Sequence, residues 1–170
     1  MNNTTKECLA PIFDQGCRIL ILGSLPGDAS LQAGHYYAHP RNAFWPIMAS
    51  LLQINFCSLS FEQRYEQLRL HHIGLWDVIA SAQRQGSLDS ALQSINGNRL
   101  DEMISRLAKL ELVIFNGKTA AKHGQKYIPS YISTSTAPST SPAYTLSQSE
   151  KTAQWNAIFQ HLSSIQPHRI

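Results

Sequence analysis

RILILGSLPG, residues 18–27, is the stretch that decides the fold. Its first half, Arg18–Leu22, is a short apolar run that stops at a glycine, a pattern typical of a buried strand in a parallel sheet. Its second half, Gly23–Gly27, has a glycine at each end, and such a turn either lets the backbone approach a ligand closely or is merely structural. It lacks the lysine of a phosphate-binding loop and the glycine spacing of a dinucleotide site, so neither ligand is indicated.

Strands and helices alternate along the rest of the chain. The predicted strands are residues 18–22, 73–79, 110–115 and 131–135, and the predicted helices are residues 42–53, 60–71, 98–109, 118–127 and a last helix that opens at a capping box, 147–150. Residues 81–90 are polar and are predicted to form a loop. The alternation predicts an α/β fold, a three-layer αβα sandwich with a central, mostly parallel four-stranded sheet. Ligands of such sheets bind beyond the carboxyl ends of the strands, so the segments at 23, 77–81, 116 and 137 are expected to share one rim.

The composition of the 170 residues is that of one globular domain, predicted to span residues 1–170. No apolar run approaches the roughly 18 residues that cross a bilayer, and no secretory signal pattern is present, so we expect no membrane partner and a cytoplasmic location. Cys8, Cys17 and Cys57 lie far apart, and their spacing indicates neither a disulfide framework nor a zinc or iron–sulfur site. The net charge of +3 permits a polyanionic partner without requiring one.

The segment GHYYAHPRNAFW, residues 34–45, crowds four aromatic rings around one amide side chain. Phe44 and Trp45 lie on the predicted helix and are expected to pack in the core. Tyr37 precedes the helix, where its ring could stack on a nucleic-acid base. Asn42 either caps the helix or offers its amide to a ligand.

Ser24, Ser139, Thr140 and Ser141 have two possible roles. Hydroxyl side chains of this kind form turns, but together with backbone donors they also hold phosphates. The Gly-x-Ser-x-Gly motif that carries the nucleophile of many serine hydrolases is absent, because GSLPG places its serine one position too early.

Four segments together carry a family resemblance: GSLPGDASLQAGHYYAHPRNAFW at 23–45, GLWDVIASAQRQGSLDSA at 74–91, VIFNGKTA at 113–120 and APSTSPA at 137–143. The chain resembles the uracil-DNA glycosylase superfamily, and most closely its hypoxanthine (deoxyinosine) DNA glycosylase family. The resemblance implies a monofunctional, monomeric DNA repair enzyme that flips a deaminated base out of DNA and hydrolyses its N-glycosidic bond without a metal or cofactor. Its partner would be DNA containing deaminated bases.

The resemblance also implies roles for individual residues. The superfamily usually carries Asp or Asn just before the proline of the first motif, to position the attacking water, but Leu25 stands there in this chain. Asn42, in HPRNAFW, matches the asparagine that is taken to substitute for it. The expected base-binding residues are Gly23, Ser24, Tyr37, Asp77 and Asn116, and the expected phosphate-binding residues are Arg41, Ser139, Thr140 and Ser141.

Asp77 stands where uracil-specific relatives read the base edge with asparagine. An ionised carboxylate only accepts hydrogen bonds, so it would take N1–H of hypoxanthine and repel adenine, whose N1 is an acceptor. A further departure is Ala137, where relatives often have His or Asn beside the leaving base. Three alternatives stay open: a uracil or mismatch glycosylase of the same fold, a catalytically silent lesion-binding module and a small-molecule esterase.

Overall fold

The computed structural model describes residues 4–165, and their side chains as far as residue 160. The two ends of the predicted domain, at 1 and 170, lie outside this range. The described strands and α-helices, in chain order, are β1 (Thr5–Glu7), β2 (Ile19–Gly23), α1 (Asp28–Ala33), α2 (Phe44–Leu52), α3 (Phe61–Leu70), β3 (Ile73–Asp77), β4 (Ile79–Gln83), β5 (Gln93–Gly97), α4 (Leu100–Ser105), β6 (Leu112–Asn116), α5 (Lys118–Gly124), β7 (Ser133–Ala137) and α6 (Gln148–Ile165). Short 3-10 turns lie at 56–58, 89–91 and 125–127.

A four-stranded parallel sheet in the order β3-β2-β6-β7 forms the centre of the molecule. Successive side chains of a strand point to opposite faces, and β2 shows this clearly. Leu20 and Leu22 pack in a core with α4 and α5, whereas Ile21 packs in a second core with α2, α3 and α6. Helices therefore cover both faces, and the predicted αβα sandwich is confirmed.

A second sheet was not predicted. β4 pairs antiparallel with β1 on one side and with β5 on the other, so the predicted strand 73–79 is in fact two strands separated at Val78, and the predicted loop at 81–90 begins with sheet. The sequence of β4, IASAQ, has only one β-branched residue, and β5 is exposed along its whole length. Neither strand shows the apolar pattern from which strands are predicted. Both are strands because their backbones pair with each other, and this pairing leaves no signal in the sequence.

The predicted element boundaries shift by a few residues. The helix predicted at 98–109 is α4, which covers only Leu100–Ser105, and the last strand begins two residues later than predicted. Both predicted capping boxes are present, at Ser60 with Gln63 and at Ser147 with Glu150. None of the helices within residues 4–165 has the length and hydropathy needed to span a bilayer.

The carboxyl ends of the four parallel strands lie side by side. Gly23 at the end of β2 is paired with Asp77 at the end of β3, and Asn116 at the end of β6 is paired with Ala137 at the end of β7. The predicted common rim is therefore confirmed at Gly23, Asp77, Asn116 and Ala137, and a cleft opens there. Residues 79–81, which were predicted to share it, belong instead to β4 of the second sheet.

Candidate active site

A cleft of about 660 Å³ opens at this rim. Its size is within the range of about 300–1,000 Å³ common for small-ligand sites, and a purine fits it. The structure brings most of the predicted site residues to its walls: Gly23, Ser24, Tyr37, Asn42, Asp77, Asn116, Ser139, Thr140 and Ser141. Arg41 is exposed and does not line the cleft, although it is the neighbour of Asn42.

Asp77 and Tyr37 have buried polar atoms in this cleft. Asp77 is 3% exposed, and neither its Oδ2 nor the Tyr37 hydroxyl has a hydrogen-bond partner among the described residues. Leaving a buried polar group unpaired costs about 1–3 kcal/mol, so two such groups side by side in a cleft indicate a ligand that pairs with them. Burial, with a smaller contribution from nearby Asp89, raises the pKa of Asp77 to about 7, and Arg84 opposes this rise. Burial also raises the pKa of the Tyr37 phenol.

Because Gly23 has no side chain, it leaves room for the Asp77 carboxyl and the Tyr37 hydroxyl. A Cβ atom on Gly23 would lie 2.6 Å from Asp77 Oδ1 and 3.3 Å from the Tyr37 hydroxyl, distances at which a neighbour would have to move. The glycine is therefore needed for the close approach of these side chains to the backbone of β2.

The ring of Tyr37 is held from one side. It stacks on Phe44 with a centroid distance of 4.1 Å and an interplanar angle of 24°. Its backbone is in the left-handed region, with φ of 53°, which costs a non-glycine residue about 1–2 kcal/mol. The adjacent Tyr36 carbonyl accepts a hydrogen bond from the Trp45 indole at 3.1 Å, which fixes the turn. Phe44 and Trp45 are buried, as predicted.

Asn42 makes the predicted contact at the start of the helix, and its role toward a ligand stays a prediction. Its Oδ1 accepts a hydrogen bond from the backbone N–H of Phe44 at 3.0 Å, so it caps the start of α2 although the formal cap position is Ala43. Its Nδ2 has no partner among the described residues, and the side chain lines the cleft. A carbonyl oxygen has two lone pairs, so Oδ1 can accept a hydrogen bond from a water molecule as well.

Asn116 and Thr140 bind each other. The backbone N–H of Thr140 donates to Asn116 Oδ1 at 2.9 Å, and Asn116 Nδ2 donates to Thr140 Oγ1 at 3.0 Å. Thr140 is 1% exposed, so its hydroxyl faces the interior, and the phosphate-binding role predicted for it is not favoured. The amide of Asn116 holds the 138–141 loop against the end of β6, and it lies near enough to the Tyr37 phenol to lower the pKa of that group slightly.

Ser139 and Ser141 form turns and remain half-buried at the cleft. The Ser139 hydroxyl accepts from the backbone N–H of Ser141, and the Ser141 hydroxyl accepts from that of Ala143, each at 3.2 Å. Each hydroxyl keeps its own proton to donate. The loop is tied to the Asn42 segment because the backbone N–H of Ala43 donates to the Thr140 carbonyl at 3.0 Å.

Sequence reasoning missed Arg84 and Asp89, which lie in the segment predicted as a loop. The Arg84 side chain is fully buried, and its guanidinium donates to the Leu25 carbonyl at 3.5 Å and to the Pro26 carbonyl. Asp89 accepts from the Ser24 hydroxyl at 2.8 Å, so that hydroxyl already has a partner. A single arginine in a polar segment gives no periodic signal, and only the tertiary contact reveals its role.

The comparisons with known proteins agree with this geometry. The family model of the uracil DNA glycosylase superfamily matches residues 10–163, and the chain belongs to this superfamily. The predicted membership is therefore confirmed.

Two relatives are both named hypoxanthine DNA glycosylase. The protein of Methanosarcina barkeri is 36% identical over 118 residues, which cover 69% of this chain and 75% of the relative. The protein of Methanosarcina acetivorans is 32% identical over 156 residues, which cover 92% of this chain and 99% of the relative. A solution NMR structure from Methanosarcina acetivorans, provisionally described as a uracil DNA glycosylase, matches with a TM-score of 0.82 at 31% identity over 94% of this chain and 99% of that one.

Proposed function

We propose that this protein is a monofunctional DNA glycosylase that removes hypoxanthine from deoxyinosine in DNA, acting as a cytoplasmic monomer. The observation that carries the proposal is the buried Asp77 carboxyl, whose Oδ2 is unpaired in the cleft. As a carboxylate it accepts N1–H of hypoxanthine, and it repels the N1 acceptor of adenine. The names of the two relatives support the same substrate.

The reaction begins with extrusion of the nucleotide from the duplex, which costs a few kcal/mol and costs least where pairing is already poor. The bond between C1′ of the sugar and N9 of the base then breaks, and its electron pair stays on the base. Water adds to C1′ and loses a proton to solvent, and the departing base takes up a proton. Asn42 orients this water without deprotonating it, which suffices when bond breaking runs ahead of water attack.

Charge on the departing base needs stabilisation that Ala137 cannot give, since it is an alkyl side chain and 2% exposed. The available donor in the cleft-lining loop at 138–143 is the backbone N–H of Ser139, which has no acceptor among the described residues. The N–H groups of Thr140, Ser141 and Ala143 already donate within the loop or to Asn116, and the two prolines have no N–H. Ser139 and Ser141 donate their hydroxyl protons to the phosphates beside the lesion.

The alkyl side chains of Leu25 and Ala137, at places where relatives carry polar groups, also favour a second candidate, a lesion-binding module without catalysis. Leu25 is 6% exposed and stands where relatives position water.

Labelled duplexes holding I:T, I:C or U:G distinguish the candidates, with chelator present throughout. We expect abasic sites from both inosine duplexes, formed faster than from U:G. Tight binding of inosine without abasic sites would support the silent module, and a preference for U:G would assign uracil as the substrate.

DNA as the partner is supported by a basic surface beside the cleft. A second hollow, of about 640 Å³, is lined by Lys118, Ala121, Lys122, Gln125, Lys126 and Thr136, and none of these is acidic. The three lysines follow one another at four-residue intervals, about one helical turn each, and Lys118 also lines the cleft. A row of cations that begins at the rim of the site suits a phosphate backbone.

Lys118→Ala/Lys122→Ala/Lys126→Ala is expected to flatten the salt dependence of DNA binding. Each lost phosphate contact lowers the slope of log K against log salt by about 0.9, so the triple variant loses about 2–3 in slope. Fluorescence anisotropy with undamaged duplex over a salt titration measures it. Lys109→Ala is the matched control, because this exposed lysine precedes β6 and lies at the amino ends of the strands, away from the cleft. An unchanged slope in the triple variant would place the DNA elsewhere.

A further inference from the structure

The loop at 138–143 directs carbonyl oxygens away from the cleft that it lines. Three of its carbonyl groups accept hydrogen bonds from donors outside the cleft lining: Pro138 from the Trp155 indole at 2.9 Å, Thr140 from the Ala43 N–H at 3.0 Å, and Ser141 from the Lys151 ammonium at 3.0 Å. The hydroxyl groups of Ser139 and Ser141 stay at the cleft, each with a proton to donate. This part of the wall therefore offers donors to an anion.

Lys151 differs from the other two donors because it carries a charge. It is only 4% exposed, and its described hydrogen bond is the one to the Ser141 carbonyl. That carbonyl also accepts from the backbone N–H of Tyr144 at 3.1 Å, so it would have a partner without the lysine. Burial of an ammonium group costs free energy unless the charge is compensated. The hydrogen bond to Ser141 therefore does not explain why the residue is charged.

The charge of Lys151 is not compensated by a carboxylate in the part of the chain that the structure describes. The adjacent Glu150 accepts instead from the Ser147 hydroxyl at 2.7 Å and from the Ser147 N–H at 3.2 Å, in the capping box of α6. Burial lowers the pKa of the Lys151 ammonium, and no described carboxylate opposes this effect. The centroid of the Tyr144 ring, 5.5 Å from Nζ, offers only the weak attraction of an aromatic face. A buried positive charge thus lies behind the cleft wall without an anion.

We propose that Lys151 is a positioning residue for DNA: it holds the Ser141 carbonyl away from the cleft and supplies, from behind the loop, the charge that attracts one phosphate to the Ser139 and Ser141 hydroxyl groups. The proposal rests on the glycosylase function proposed above. Lys151 acts through the loop, because it does not itself line the cleft. Salt screens a buried charge much less than an exposed one, so this attraction persists where that of surface lysines fades.

Two variants separate the charge of Lys151 from its hydrogen bond. Lys151→Met removes both, whereas Lys151→Gln removes the charge and keeps a donor. Both are expected to fold with at least the wild-type stability in urea, because the Ser141 carbonyl keeps the Tyr144 N–H and an uncompensated buried charge is gone. Since the proposal assigns the attraction to the charge, we expect both variants to bind DNA equally weakly.

The test identifies the phosphate that Lys151 attracts. Binding is measured by fluorescence anisotropy on duplexes with a tetrahydrofuran abasic-site analogue, in which each flanking phosphate in turn is replaced by a neutral methylphosphonate. At one linkage we expect the replacement to weaken wild-type binding about 10-fold more than that of either variant, at the low end of couplings between close charges. Lys109→Ala is the matched control, because it removes an exposed lysine at the amino ends of the strands, and it should follow wild type at every linkage.

Losses that are equal in wild type and Lys151→Met at every linkage would overturn the proposal and leave Lys151 a structural residue. Wild-type behaviour of Lys151→Gln would overturn it too, because the hydrogen bond alone would then suffice. The glycosylase function is tested separately, since the analogue has no base to release. Wild-type protein that frees no base from an inosine duplex would fail the proposed function, while the comparison of linkages would still decide the role of Lys151.

Discussion

Asn42→Ala is expected to lower the single-turnover rate of hypoxanthine release by about 100-fold or more, the loss that follows from misplacing a reactant. The reason is that Asn42 is the polar side chain assigned to hold the attacking water, while Leu25, at the place used by relatives, is an alkyl group. The measurement is the rate of abasic-site formation on an I:T duplex at saturating enzyme.

Asn42→Ser separates this role from helix capping. Serine is as good a helix cap as asparagine, but its short side chain does not reach the water position. The alanine variant should lose up to about 1 kcal/mol of stability with the cap, and the serine variant should regain it. We expect stability to return in Asn42→Ser without activity. Recovery of the rate along with stability would reduce Asn42 to a structural cap, and a wild-type rate in Asn42→Ala would remove it from the mechanism.

Asp77→Asn is expected to lose the preference for inosine over adenosine. An amide offers an acceptor to N1–H of hypoxanthine but also donors to N1 of adenine, so the repulsion that rejects adenine disappears. Competing duplexes with I:T and A:T measure the preference. A variant that still discriminates as the wild type does would refute the role of the carboxylate.

The same substitution should stabilise the protein in a pH-dependent way. The pKa of Asp77 is about 7 in the folded state against an ordinary 3.8, so between these values the folded protein holds a proton that the unfolded chain has lost. Stability conferred by Asp77 is therefore present below pH 4 and is lost as the pH rises to about 7. The difference between these two pKa values corresponds to at most about 4 kcal/mol in the free energy of unfolding. Urea unfolding should show Asp77→Asn more stable than wild type by roughly 2–4 kcal/mol at pH 8, with little difference at pH 4.

The wild-type rate on inosine should also rise through pH 7, since the ionised form is the acceptor, and the rise should be absent in Asp77→Asn. For the stability prediction, an equal free energy of unfolding of wild type and Asp77→Asn at pH 8 would contradict it and would mean that the Asp77 carboxylate is solvated in the folded protein.

The parallel sheet could be predicted from sequence because its strands are buried on both faces. The runs ILIL and LVIF are short, apolar and rich in β-branched residues, as buried strands are, and each stops at a residue that reaches the rim. The exposed strand β5 and the mixed strand β4 carry no such pattern, because pairing partners distant in sequence determine them.

The candidate site was predictable to the same degree. Residues that end strands, Gly23, Asp77 and Asn116, were placed correctly by topology. The side-chain contacts around these residues were not predictable. The mutual hydrogen bonds of Asn116 and Thr140, and those of the buried Arg84 to the Gly23–Gly27 turn, join residues more than 20 positions apart. From the sequence, Asn42 could either cap its helix or bind a ligand. In the structure its Oδ1 accepts from the backbone N–H of Phe44, while its Nδ2 has no partner among the described residues.

The most direct test of the account is the release of free base. Pure protein is incubated with a deoxyinosine duplex in the presence of chelator, and the supernatant is analysed by mass spectrometry. We predict free hypoxanthine in equal amount to abasic strands, and neither product with Asn42→Ala over the time in which the wild type completes the reaction. Duplex that is bound at Asp77 yet keeps every base attached would contradict the account.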